Sequence, residues 1–251
     1  MPAALKLKEQ FGDDLHVVFV ESQGATADVH EAFVWRMKWM GLGGLWTSEQ
    51  PFPTLGDGLP ETALVGVDGK ILFQGYPDHG KIEELIVAEL RKAKDAPEGT
   101  PKELKQAWKD WMKGDLATAL AACDKVANDA GAELRGKITS RFEREVEAAK
   151  WCIDNGYMAV AEERLRKLQK EARGVAALES LAKVQAERLA APELAKEVEA
   201  DKAWSAFAAT AARKKPFDEP NVKKAQALAD KHAGTKAGAR AQRFVVLSKV
   251  K

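Results

Sequence analysis

Two cysteines, four histidines and a scatter of carboxylates are the side chains with which this 251-residue chain could do chemistry. Thiol-disulfide exchange needs a thiolate of lowered pKa at a helix N-terminus and a second thiol close by to resolve the mixed disulfide. Cys123 and Cys152 stand 29 residues apart, both in sequence of helical character, so they are not a Cys-x-x-Cys pair. They read either as small buried core residues or, in an oxidising compartment, as a disulfide between neighbouring helices. His16, His30, His79 and His232 show no metal-ligand spacing with one another or with the cysteines. Gly41–Gly44 lacks the Lys-Ser/Thr of a phosphate loop, and there is no Gly-x-Ser-x-Gly. The residues therefore assign no catalytic side chain, no metal and no cofactor. Trp35, Trp39 and Trp46 gather near Met37 and Met40, as the packing of one helix or as an exposed apolar contact surface.

The elements that would position these groups divide into two regions. Residues 1–95 hold 9 basic and 15 acidic side chains, a balance of −6, and the remainder carries +7. A change of sign along the chain, followed by the linker-like Asp95–Thr100, marks a domain boundary. The basic excess of the second region is diluted by acids and reads as a solvated helical surface rather than a nucleic-acid or membrane patch. No apolar run is long enough for a transmembrane helix, and the first residues lack the apolar core of a secretory signal.

In the first region Leu15–Val20 is a short β-branched run of buried-strand type. Thr26–Met40 has helical periodicity with Val29, Phe33, Met37 and Met40 on one face, stopped by the glycines that follow. Residues 45–61 read as a Pro- and Gly-rich loop. Thr62–Val67 and Lys70–Gln74 flank Asp68-Gly69, a strong hairpin signal when both turn residues adopt positive φ. Residues 80–94 form an amphipathic helix with Ile82, Leu85, Ile86 and Leu90 inward.

This order of elements, with Leu59-Pro60-Glu61-Thr62 before the hairpin, resembles the thioredoxin fold. More closely, it resembles the TlpA/ResA-like thiol-disulfide oxidoreductases of bacterial envelopes. The likeness implies an α/β thioredoxin-like domain over residues 1–95 that is incomplete, since its first strand and Cys-x-x-Cys have no counterpart. It implies a cis peptide at Pro60, substrate-binding roles for Leu59, Pro60 and Glu61, and a supporting acid near the thiols at Glu21. It places the parent family in the envelope, with a protein thiol or disulfide as substrate, whereas the start of the chain taken literally implies the cytosol. One expectation that follows is that Met1 is internal to a longer protein; the other is a shortened, redox-inactive module.

The second region, residues 100–251, contains no convincing strand and reads as six to eight helices. Thr100-Pro101-Lys102-Glu103 suggests a capping box with Pro at the first helical position. Breaks are expected at Gly114, Asp129–Gly131, Gly156, Gly174, Pro192, Pro216–Pro220 and Gly234. Gly114-Asp115-Leu116 with Ala119, and Gly156-Tyr157-Met158 with Ala161, resemble the turns of tetratricopeptide-like helical hairpins. A generic helical bundle is the alternative. The expected function is that of a protein related to thiol-disulfide exchange but inert as given, with a helical domain that binds a protein partner. The alternative is a non-catalytic binding scaffold.

Overall fold

Helix-forming residues dominate the chain, and the computed structural model is accordingly mostly helical. It describes residues 2–21, 24–39, 43–46, 52–53, 55, 60–126, 128–213 and 215–250. These fall into two units, Met1–Asp95 with Lys249–Lys251, and Ala96–Ser248.

The first unit runs α1 (Pro2–Phe11), a 3-10 turn (Gly12–Asp14), β1 (Val18–Glu21), α2 (Ala27–Arg36), β2 (Gly43–Trp46), β3 (Thr62–Val65), β4 (Ile71–Gly75) and α3 (His79–Lys94). β1 pairs in parallel with β2, Val18 opposite Gly43, and β3 pairs antiparallel with β4. These are two separate two-stranded sheets, and no pairing joins them among the described residues. This overturns the expected α/β thioredoxin-like domain, which required the Leu15–Val20 run and the hairpin to share one sheet. The physical reason lies in the strands: they are four or five residues long, and no further described segment bridges them. One part of the unit's core has Leu7, Ile82 and Ile86 buried, with Phe11, Leu15, Leu64, Phe73 and Leu90 packed against them.

Three local expectations are also corrected. The apolar run at β1 is not buried, since Val18 is 49% exposed and Val20 lies beside it in the open. β2 forms within the segment read as stop and loop. A Gly-Gly-Leu-Trp strand has almost no local β signal and exists through its pairing with β1. The inward face of α2 is the other stripe: Ala32, Val34 and Trp35 are buried, while Val29, Phe33 and Met37 are exposed. Trp39 stacks on Phe19 at 4.7 Å and meets Phe33 edge-on. Met40 and the side chain of Trp46 lie outside what the structure describes. In the hairpin turn only Gly69 has positive φ. Its N–H donates to Gly66 O, and Lys70 N–H donates to the Asp68 carboxylate, so Asp68 needs no left-handed backbone.

The second unit contains eight α-helices among the described residues. They are α4 (Lys102–Met112), α5 (Leu116–Lys125), α6 (Asp129–Asp154), α7 (Met158–Glu171), α8 (Ala176–Leu189), α9 (Ala195–Ala211), α10 (Glu219–Lys231) and α11 (Lys236–Leu247), with a 3-10 turn at Pro192–Leu194. Successive helices pack on one another through most of the unit, and several also touch the next but one, as α4 does α6 and α7 does α9. Gly114, Gly156, Gly174 and Gly234 end helices with φ between 76° and 83°, the left-handed closure that side chains resist. Ala119 and Ala161, five residues after the first two, are fully buried. The long α6 buries Leu134, Ile138, Phe142, Val146 and Ile153 in a core shared with α4, α5, α7 and α8. Around α9–α11 an aromatic cluster takes over, with Phe244 against Phe207, Phe217 and Trp204.

Two helix starts differ from expectation. At α4 there is no capping box: Thr100 Oγ1 donates to Pro97 O, and Pro101 provides the cap position. Gly131 is not a break but lies inside α6, third after the capping Asn128, whose side chain accepts its N–H. A Cβ there would sit 2.2 Å from Val126 O, and Gly238, third after the capping Thr235, faces His232 O at the same distance. In both helices the preceding turn folds back over the first coil, and only glycine leaves room.

Candidate interaction surface

The thiols come first because they decide whether redox chemistry is open to this chain. Cys123 on α5 and Cys152 on α6 are both free and buried. Burial pushes both thiols up, helped at Cys123 by the charge of Asp124 and at Cys152 by Asp201. This is the opposite of an activated thiolate. Of the two readings of these residues, the structure has the core one.

The residues singled out around the hairpin are dispersed. Leu59 lies outside the described residues, and Pro60 is exposed. Glu61 is half-buried and holds the hairpin to the preceding segment: its Oε1 accepts from Gln74 Nε2 at 2.8 Å and from Leu55 N–H at 3.2 Å. Gln74 Nε2 also donates to Pro53 O. Glu21 closes β1 opposite Trp46, with a half-buried side chain. Among the described residues there is no group of His, Cys, Asp and Glu able to hold a metal ion. No described helix is long and apolar enough to cross a membrane.

In the helical unit the tertiary structure assembles two arginine–aromatic sites. At the first, Arg240 of α11 lies over Tyr157 at 4.5 Å, and Tyr157 stacks on Trp151. Its guanidinium donates to Asp201 at 2.6 Å, to Gly156 O at 2.8 Å and to Asn155 O at 3.3 Å. The other oxygen of Asp201 accepts the Ala159 N–H at 2.9 Å, at the start of α7. Asp201 is 2% exposed. One ion pair, its carboxylate buried and its guanidinium partly so, therefore serves the carbonyl end of α6 and the amide end of α7, and ties both to α9 and α11.

The second site is an open groove of about 480 Å³ between the end of α4 and the outer face of α6. Trp111, half-buried, meets Trp108 edge-on at 5.0 Å. Arg141 lies over Trp111 at 5.6 Å. Lys137, Arg141 and Arg144 follow at helical spacing along α6, opposite its buried stripe. Lys137 is paired with Glu133 at 2.6 Å, whereas neither Arg141 nor Arg144 has an acidic partner among the described residues. Gly136 lies open in the groove with nothing within 4 Å of where a Cβ would stand. Beyond the groove Glu171 is raised by burial, against the lowering influence of Lys167 and Arg141.

The sequence reading did not find this groove. In the sequence Trp108 and Trp111 only hint at a tetratricopeptide-like motif. The one available signal was the row of three cations at helical spacing beside them. No protein-family model, no curated protein and no solved structure matches this chain.

Proposed function

We propose that this chain is a non-catalytic protein-binding module whose helical unit carries the binding face. The observation that carries the reading is the groove of Trp111, Arg141 and Arg144, where an aromatic ring and two guanidinium groups without an ion pair among the described residues stand together. Trp and Arg are the side chains from which interfaces draw most of their energy. The packing of most helices on the next in chain order supports it further, since stacked helical hairpins present continuous surfaces to partners. The buried thiols, both raised, argue against thiol-disulfide exchange by this chain.

Selection from a random peptide library tests the reading. The full chain is expected to enrich peptides with a shared pattern, and Trp111→Ala is expected to lose them while keeping its helical circular dichroism. A library that yields no pattern, or one indifferent to Trp111, would overturn it. Insulin-disulfide reduction by the same chain is expected to stay at background, and activity above background would return the redox reading.

A further inference from the structure

We infer that the groove between α4 and α6 takes a short, extended, acidic polypeptide segment, an assignment that rests on the binding-module reading above and names the partner's chemistry. The charges in the groove do not cancel. Three cations and one carboxylate line it: Glu133 is committed to Lys137, and neither Arg141 nor Arg144 forms an ion pair among the described residues, with Glu171 beyond the groove acting on Arg141 only at longer range. Arg141 is held in place by the Trp111 ring rather than by an acid, so its planar fork stays free to receive a carboxylate.

The spacing suits a peptide. From Lys137 to Arg144 the helix rises about 10 Å, which is the length of roughly three extended residues. Carboxylates at alternate positions of such a segment fall along the row of cations. Gly136 brings bare helix backbone to the floor of the groove, and no side chain there obstructs a close approach. Trp111 and Trp108 offer the apolar wall against which one non-polar side chain of the segment can pack.

A nucleic acid fits less well. Phosphate-backbone recognition needs a continuous track of cations. Here the exposed surface of α6 beyond the groove carries Glu143, Glu145 and Glu147, with Glu145 already paired to Arg164 at 2.8 Å. The positive field is short and bounded by acids, matching a few carboxylates rather than a phosphate chain.

The test is titration of the full chain, followed by tryptophan fluorescence and calorimetry. The probes are a synthetic peptide of alternating glutamate and aspartate with one central leucine, its glutamine and asparagine counterpart, and a single-stranded oligonucleotide of equal charge. The acidic peptide is expected to bind at least about ten-fold more tightly than its neutral counterpart and to weaken with added salt. Arg144→Ala and Arg141→Ala are each expected to weaken it several-fold, and Arg144, which makes no described contact, can be removed without disturbing the fold. Equal binding of acidic and neutral peptides, or indifference to both arginines, overturns the inference. Tighter binding of the oligonucleotide also overturns it, in favour of a nucleic-acid partner. A peptide library that yields non-acidic ligands sensitive to Trp111 would sink the acidic assignment alone, while a library that yields none sinks the binding module itself.

Discussion

Arg240 and Arg141 each lie over an aromatic ring in the same helical unit, and they differ in everything else. Both terminal nitrogens of Arg240 are engaged, donating to a buried carboxylate and two helix-end carbonyls, while its Nε is buried without a partner; the same carboxylate caps the next helix. Arg141 is exposed and lies over the ring of Trp111; it forms no ion pair among the described residues, although the half-buried Glu171 is near enough to feel its charge. A guanidinium whose terminal nitrogens are engaged from within the chain holds the fold together. One whose partners are missing is available to something else. The comparison teaches that the same pair of side-chain types is structural or functional according to how many of its donors the fold has already used.

The largest effect expected from breaking this contrast is at the buried pair. Asp201→Ala leaves a partly buried guanidinium uncompensated and the start of α7 uncapped, and is expected to cost about 3–5 kcal/mol. Urea unfolding followed by circular dichroism measures it. A loss below about 1 kcal/mol would mean that the pair is effectively solvated and that the two arginines do not differ as claimed.

Two glycines of α6 sharpen the contrast between a helix built into the fold and a helix face left open. Gly131→Ala drives a Cβ into the Val126 carbonyl and is expected to cost about 1–3 kcal/mol. Gly136→Ala, one turn further on in open space, is expected to stabilise the helix by up to about 1 kcal/mol, read as a rise in Tm. If both changes act in the same direction, the described start of α6 is wrong.

Removing Arg141 or Arg144 is expected to move stability by no more than about 0.5 kcal/mol. A large loss at Arg144 would show that this side of α6 is structural after all.

The smallest effect concerns Glu171, half-buried beside Arg141 and Lys167. Because burial raises its carboxyl in the folded chain, the folded state holds that proton more firmly than the unfolded one. Stability from this group is therefore present at acid pH and falls as pH rises from the ordinary carboxylate value through the raised one. Glu171→Gln is expected to lift Tm slightly at neutral pH, with the difference from the parent closing in acid. A difference that widens in acid would reverse the sign and place Glu171 in a stabilising ion pair.

Much of the helical unit was legible residue by residue. Gly114, Gly156, Gly174 and Gly234 end helices as their place in the sequence suggests, and Ala119 and Ala161 are buried as the spacing implies. The Asp68-Gly69 hairpin and the Ile82/Ile86 stripe of α3 are there too. The strand at Gly43 was not legible, because it exists only through its parallel partner. The inward face of α2 was misread because that helix carries two apolar stripes, and periodicity cannot choose between Phe33 and Trp35. The likeness to a thioredoxin sheet failed for a related reason: an order of elements matched, but order says nothing about which strands pair.

Where most helices of the second unit end was legible locally, because glycine backbones and 3.6-residue periodicity act over a few neighbouring positions. Only the tertiary structure decided which arginine is used up and which is left free. Asp201 meets Arg240 across 39 residues and Trp111 meets Arg141 across 30. Contacts of that span depend on which helix faces come together, and no local rule encodes that.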